Sequence, residues 1–242
     1  MRSRSWRPPA VVVGLTGSIG MGKSAAGAML RRMGLPVHDA DRAVHRLLGK
    51  GGAAVAAVEA EFPGVTSDGA VDRKRLGARV FGDRPALRRL EAILHPMVRR
   101  ESEQFVRCNV RRGARLVVLD VPLLFETGRE AACDAVIVVT APRFVQEARV
   151  RGRPGMTAER LRAVLAEQMP DAEKRRRADF VVSTGLSKRE TLRRLRAIVR
   201  LLRQRPIRRP PARAWPHHGP TRRTSPSESS CARSSSIPKP PA

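Results

Sequence analysis

An α/β fold, with a parallel sheet covered by helices on both faces, is the fold class that the sequence predicts from three observations. Short apolar runs alternate with helical segments along residues 10–204, which is typical of parallel strands joined by helical crossovers. Those runs are continuously apolar, as expected of strands that are buried on both faces. A glycine-rich loop joins the first run to the first helical segment. The length of 242 residues, with 41% hydrophobic residues, supports one main domain.

The individual elements follow from the same patterns, in chain order. Strands are predicted where short β-branched and apolar runs are bounded by polar residues, at 10–15, 35–38, 115–119, 135–139 and 178–183. Helices are predicted from composition and end signals at 24–33, 41–48, 53–62, 71–81, 87–112, 143–151, 157–169 and 187–202. A proline at position 96 predicts a break in the longest of these helices. Beyond residue 204 the chain becomes rich in Pro, Arg and Ser, which predicts a disordered tail over 205–242.

The charge of the chain is strongly basic, with 48 Lys and Arg against 22 Asp and Glu, a formal net charge of +26. Such an excess favours nucleic acid as a partner when the cations are clustered. Here the charge is spread over helices, loops and tail, and only 3% aromatic residues with no tyrosine leave little material for base stacking. We therefore expect small-molecule partners, and nucleic-acid binding as the main role is disfavoured.

Cysteine usage and hydropathy indicate the compartment. Cys108, Cys133 and Cys231 are too far apart for the paired spacing of a zinc site, and three cysteines do not make a disulfide framework. No apolar run approaches the roughly 20 residues that cross a bilayer. We therefore expect a cytoplasmic protein without membrane association.

The glycine-rich loop carries the strongest motif. Residues 17–24 read Gly-Ser-Ile-Gly-Met-Gly-Lys-Ser, between a predicted strand and a predicted helix, as a phosphate-binding P-loop requires. Backbone N–H groups of such a loop surround phosphate oxygens, Lys23 would reach the outer phosphates, and the Ser24 hydroxyl would bind Mg²⁺. The predicted ATP-binding residues are Gly17, Ser18, Ile19, Gly20, Met21, Gly22, Lys23, Ser24 and Ala25. The alternative, a glycine-rich turn with a chance lysine, is disfavoured because motif and context agree. The fold is thus predicted to be a three-layer fold of P-loop NTPase type.

The P-loop is shared by GTPases, ATPases and kinases, so other features must distinguish them. The Asn-Lys-x-Asp motif with which GTPases read the base does not occur in the sequence. The short chain, without a second nucleotide-site motif, disfavours a motor or a transporter ATPase. A small-molecule kinase is the remaining interpretation.

Three acids follow predicted strands at the edge where open α/β sheets bind ligands. Asp39 and Asp41 come directly after strand 35–38. Asp41 is predicted to orient an acceptor hydroxyl and accept its proton, with Asp39 as support or as a water-mediated magnesium contact. The alternative is that they cap the next helix. Asp120, at the tip of strand 115–119, is a further magnesium candidate, or else a turn residue at the strand end.

Two arginines suggest a lid. Arg149 ends a helix and Arg153 lies in the loop Gly-Arg-Pro-Gly at 152–155, an arrangement suited to a segment that closes on the triphosphate. The alternative is a solvated basic helix face, and we expect that reading to apply to Arg151.

Taken together, these motifs resemble those of the dephospho-CoA kinase family over residues 11–202. The matching pieces are Gly14 to Ser24, Asp39-Ala-Asp41, Asp72-Arg73 with Leu76 and Val80-Phe81, Leu90 to Pro96, Val121 to Glu126, Arg149 to Arg153, Gln168 and Ala178-Asp179. Ser18 and Ala25 depart from residues common in the family without removing a required donor.

The resemblance implies transfer of the ATP γ-phosphoryl group to the ribose 3′-hydroxyl of dephospho-coenzyme A, the final step of coenzyme A synthesis. It implies a kinase domain over 10–204, with a helical acceptor subdomain at 48–112 and a lid at 149–157. By this analogy Asp41 is the catalytic base, while Arg73 and His95 lie toward the acceptor. With the P-loop lysine and the two lid arginines, the predicted catalytic residues are Asp41, Lys23, Arg149 and Arg153. His95 has the alternative role of a packed helix residue. A kinase of another small alcohol or nucleotide, and a P-loop nucleic-acid-binding regulator, stay open as alternatives, as does the oligomeric state.

Overall fold

A five-stranded parallel sheet forms the centre of the molecule. The computed structural model describes residues 10–153 and 156–204. The strands are β1 (Val11–Thr16), β2 (Val37–Asp39), β3 (Thr66–Ser67), β4 (Ala70–Val71), β5 (Leu116–Asp120), β6 (Ala135–Thr140) and β7 (Phe180–Ser183). The order in the main sheet is β2-β5-β1-β6-β7, all parallel, and β3 and β4 form a separate antiparallel hairpin. All five predicted strands of the main sheet are confirmed.

Helices connect the strands. They are α1 (Lys23–Arg32), α2 (Ala40–Leu48), α3 (Val55–Glu61), α4 (Arg73–Val80), α5 (Arg84–Arg111), α6 (Arg143–Arg151), α7 (Ala158–Ala166), α8 (Asp171–Arg177) and α9 (Lys188–Gln204), with a 3-10 helix at Arg129–Ala132. No helix within the described ranges is both long enough and apolar enough to span a bilayer.

Several boundaries differ from the prediction for identifiable reasons. The helix expected to start at residue 71 starts two residues later, because Val71 pairs in the hairpin and the Asp72 carboxylate caps α4 by accepting the Lys74 and Arg75 N–H groups. The helix predicted over 157–169 ends at Ala166. Helix α8 was not predicted, because its seven residues are mostly charged and only Lys174 among them is buried.

The predicted break at Pro96 was wrong, since α5 is one helix of 28 residues that contains this proline. Buried side chains recur every four residues on both sides of the proline, from Leu90 and Leu94 to Val98. The free energy gained by packing this continuous stripe against the core offsets the cost of the hydrogen bond that proline cannot donate.

Apolar side chains cover both faces of the sheet, which makes the three-layer arrangement. Val12 of β1 packs with α2 to α5 on one face. Its neighbours Val11, Val13 and Leu15 pack with α1 and α9 on the other. The alternation follows from the two-residue period of a strand.

The register of the sheet brings functional candidates to one edge. Leu15 at the end of β1 pairs with Asp120 at the end of β5, and Asp39 at the end of β2 pairs with Asp120 from the other side. The glycine-rich loop and both acids therefore meet at the carboxyl ends of adjacent strands, the position at which open α/β sheets bind ligands. The predicted tail over 205–242 lies outside the described residues.

Candidate active site

The glycine-rich loop turns tightly from β1 into α1. Gly20 and Gly22 have φ angles of 76° and 84°, in the left-handed region that glycine adopts without steric cost. Gly22 caps α1 without a side-chain hydrogen bond, so the N–H groups of the first turn are not used by a capping side chain. Such a helix N-terminus, with its partial positive charge, is an anion-binding arrangement.

Lys23 lies at the start of α1 and is paired with the end of β5. Its Nζ donates to Asp120 Oδ1 at 2.7 Å, with exposed side-chain fractions of 15% for Lys23 and 3% for Asp120. Burial raises the pKa of Asp120, the Lys23 ammonium opposes that rise, and the nearby Asp39 carboxylate adds to it. In this structure the Lys23 ammonium is thus ion-paired with a buried carboxylate beside the loop.

An open cleft of about 510 Å³ lies in front of the loop and is lined by five of the predicted site residues. Its lining consists of Lys23, Ser24, Asp39, Asp41, Arg42, His45, Arg46 and Asp120. The cleft therefore places the lysine and serine of the loop and all three predicted acids around one space. The described residues contain no group of three or more His, Cys, Asp or Glu side chains arranged to hold a metal ion.

Asp39 and Asp41 differ in their surroundings. Asp39 is the N-cap of α2: its Oδ1 accepts the Arg42 N–H at 3.1 Å, and its Oδ2 lies 3.4 Å from Arg31 Nη2. The capping alternative thus holds for Asp39. Asp41 lies in the first turn of α2, exposed to the cleft. Its carboxylate is therefore accessible to a ligand in the cleft.

Three further cleft residues, Arg42, His45 and Arg46, were not predicted from the sequence. His45 and Arg46 follow Asp41 and Arg42 by four residues, the spacing that places side chains on one face of a helix. This spacing was visible in the sequence and would have identified them.

Arg73 connects this cleft to a second one. Its Nη1 lies 3.0 Å from Nδ1 and 2.9 Å from Nε2 of His45. The second cleft, of about 970 Å³, runs between α4 and α7. It is lined by Arg73, Lys74, Gly77, Ala78, Phe81, Thr157, Arg160 and Ala163. Arg73 thus contacts a residue of the first cleft and lines the second, whose walls are both cationic and apolar.

Three of the predicted catalytic and acceptor-binding residues line neither cleft. His95 is on α5 near Arg99 and Arg129 and lines neither cleft. The Arg153 side chain is exposed, and residues 154–155 of the predicted lid lie outside the described residues. Arg149 lies behind the loop, where its guanidinium donates to backbone oxygens of Gly20 and Thr184. Its predicted contact with triphosphate stays a prediction.

Comparisons with known proteins agree with this geometry. The family model for dephospho-CoA kinase matches residues 11–189. The dephospho-CoA kinase of Paramagnetospirillum magneticum is 64% identical over 192 residues, covering 79% of this chain and 91% of the relative. That of Rhodospirillum rubrum is 58% identical over 194 residues, covering 80% and 92%.

The fold comparison gives the same result. The crystal structure of TT1252 from Thermus thermophilus superimposes with a TM-score of 0.70 at 36% identity, over 80% of this chain and 98% of that one. Taken with the family model and the two relatives, these matches show that the chain belongs to the dephospho-CoA kinase family.

Proposed function

We propose that this chain transfers the γ-phosphoryl group of ATP to the ribose 3′-hydroxyl of dephospho-coenzyme A, giving coenzyme A and ADP in the final step of coenzyme A synthesis. One observation carries the proposal: the phosphate loop with Lys23 and the accessible carboxylate of Asp41 line the same cleft. Membership of the dephospho-CoA kinase family supplies the identity of the acceptor.

The nucleotide side of the reaction is electrostatic. Backbone N–H groups of the loop over residues 17–25, apart from those of Ile19 and Met21, which are bonded within the protein, would hold the β- and γ-phosphates together with the N-terminus of α1. Lys23 would move its ammonium from Asp120 to the outer phosphates, where it offsets charge as the bond to the leaving ADP breaks. We further propose that Arg153 assists by contacting the triphosphate, and that Arg149 assists through its hydrogen bond to the loop that binds it.

Magnesium fits the donors present. Ser24, Asp39 and Asp120 contribute hydroxyl and carboxylate oxygens to the cleft, the ligand type that Mg²⁺ prefers together with phosphate oxygens and water. Bound there, the ion would neutralise phosphate charge and orient the triphosphate.

Transfer to the acceptor requires a base and a binding surface for a long, anionic molecule. Asp41 would accept the proton of the 3′-hydroxyl as the oxygen attacks phosphorus. Arg73, Lys74 and Arg160 provide positive charge for the acceptor's phosphates in the second cleft, and Phe81 provides apolar surface there. We propose His95 as a more distant acceptor contact, with the helical subdomain over 48–112 and the lid over 149–157. We expect the reaction to take place in the cytoplasm.

The proposal is tested by ADP release with defined acceptors. ADP should form rapidly with dephospho-coenzyme A and only at a background rate with coenzyme A, whose 3′-hydroxyl is already phosphorylated. Adenosine and AMP serve as competing acceptors, because they present a ribose without the rest of the molecule. Faster ADP release with either of them than with dephospho-coenzyme A would support a kinase of another substrate instead.

A further inference from the structure

Three consecutive carbonyl groups of the phosphate loop are held from outside by side chains of other elements. The Ile19 oxygen accepts from Gln146 Nε2 at 2.8 Å, and the Gly20 oxygen from Arg149 Nη1 at 3.3 Å. The Met21 oxygen accepts from Thr184 Oγ1 at 2.8 Å. We call Gln146, Arg149 and Thr184 the outer bracket. Two of its members come from α6 and one follows β7.

Thr184 is the centre of the outer bracket. Its hydroxyl donates to the loop and accepts from Arg149 Nη1 at 2.9 Å, while Arg149 Nη2 donates to its backbone oxygen at 2.7 Å. The Thr184 N–H in turn donates to the Thr140 oxygen at 2.8 Å, which fixes the residue to the sheet. With only 7% of Thr184 exposed, water does not readily replace its hydroxyl.

The bracket and the loop are packed without intervening space. A Cβ atom at Gly20 would lie 2.7 Å from Val150 Cγ2, and one at Gly22 would lie 2.7 Å from Thr184 Oγ1. Glycine is required at both positions by this close approach as well as by the backbone angles.

Because of peptide geometry, these contacts to the carbonyl oxygens also set the direction of the neighbouring N–H groups. In a planar trans peptide the C=O of one residue and the N–H of the next point in opposite directions. Holding the oxygens of Ile19, Gly20 and Met21 toward the bracket therefore turns the N–H groups of Gly20, Met21 and Gly22 away from it. The Met21 N–H indeed points across the loop, where it donates to the Ser18 oxygen at 3.1 Å.

The preceding peptide is held in the opposite sense. The Ile19 N–H points out of the loop and donates to Gln168 Oε1 at 3.0 Å. Hydrogen bonds from outside thus set which peptide groups are turned out of the loop and which are turned into it.

We propose that Gln146, Arg149 and Thr184 are positioning residues that preorganise the loop's N–H groups for ATP phosphates, an inference that rests on the proposed function. They act through the loop backbone rather than on the reacting atoms. A preorganised set of donors needs no reorientation when the anion arrives, so loss of the bracket weakens nucleotide binding.

Thr184→Val tests the proposal, because valine keeps the shape and removes only the hydroxyl. The dissociation constant of MgATP should rise about tenfold, since the Met21 oxygen and Arg149 both lose a buried partner. The KM for dephospho-coenzyme A should stay within about twofold of the unmodified chain. Thr184→Ser, which restores the hydroxyl, should recover most of the MgATP affinity.

Thr191→Val is the matched control. Thr191 is 3% exposed, and its hydroxyl donates to the backbone oxygens of Ser183 and Ser187 rather than to the loop. Calorimetric titration with MgATP and a thermal melt of each variant separate affinity from folding. Equal MgATP affinity of the two valine variants would contradict the positioning role of the outer bracket while leaving the proposed function intact. Failure of the unmodified chain to bind MgATP would overturn both.

Discussion

Asp41→Asn is expected to lower turnover by about 10²- to 10⁴-fold, the range that a positioned general base contributes. Asparagine has nearly the same shape but cannot accept the proton of the acceptor hydroxyl. The carboxylate lies in the first turn of α2 and lines the cleft in front of the loop. Affinity for MgATP should change by less than about threefold, because the loop and Lys23 are untouched.

The measurement is ADP release at saturating substrates, together with MgATP titration. Asp68→Asn provides the control, since Asp68 lies in the exposed β3–β4 turn with a φ of 52°, a conformation that asparagine also tolerates. The control should keep full activity. Unchanged turnover in Asp41→Asn would remove Asp41 from the mechanism.

Lys23→Met should have a second large effect, on both catalysis and stability. Turnover should fall by about 10²- to 10³-fold, because a cation aimed at the transferring group is lost. The free energy of unfolding at neutral pH should fall by about 3 kcal/mol, since Asp120 then stays buried without its ammonium partner.

The stability loss should depend on pH in a defined direction. Burial raises the folded-state pKa of Asp120 above its usual value of 3.8, so protonation of this carboxyl favours the folded state. That contribution is complete below the unfolded pKa and is lost as pH rises through the folded pKa. Without Lys23 the folded pKa rises further, so the difference between variant and unmodified chain should be small at about pH 4 and largest at about pH 7.

A double variant separates the two effects of the lysine. Lys23→Met combined with Asp120→Asn removes the unpaired charge and should regain most of the stability, measured by denaturant unfolding, without regaining turnover. Recovery of turnover in the double variant would show that Lys23 serves only to neutralise Asp120.

Local patterns in the sequence were sufficient for the main sheet and the loop. Continuous apolar runs marked all five parallel strands, and the loop motif at 17–24 fell between strand and helix as expected. The two-residue strands β3 and β4 are too short to show an alternating pattern and were missed. The helix-breaking tendency of Pro96 was outweighed by packing along both halves of α5. These are cases where tertiary contacts outweigh local preference.

The site was predictable only in part, for the same reason. Asp41 and Lys23 stand in recognisable motifs at strand ends, whereas Thr184 reaches Met21 across 163 residues of chain and Gln146 reaches Ile19 across 127. No local spacing encodes such a pairing. Arg149 shows the difference most clearly, because the sequence marked it as functional but gave no sign that its guanidinium binds the loop backbone.

The central claim is that a phosphate held by the loop is passed to an alcohol presented beside Asp41. It is tested most directly by following γ-labelled ATP with dephospho-coenzyme A and locating the label in the product. We expect one labelled phosphoryl group on the ribose 3′-oxygen, a product identical to coenzyme A, and an equal amount of ADP. Label released as inorganic phosphate, or attached to another hydroxyl, would contradict the account.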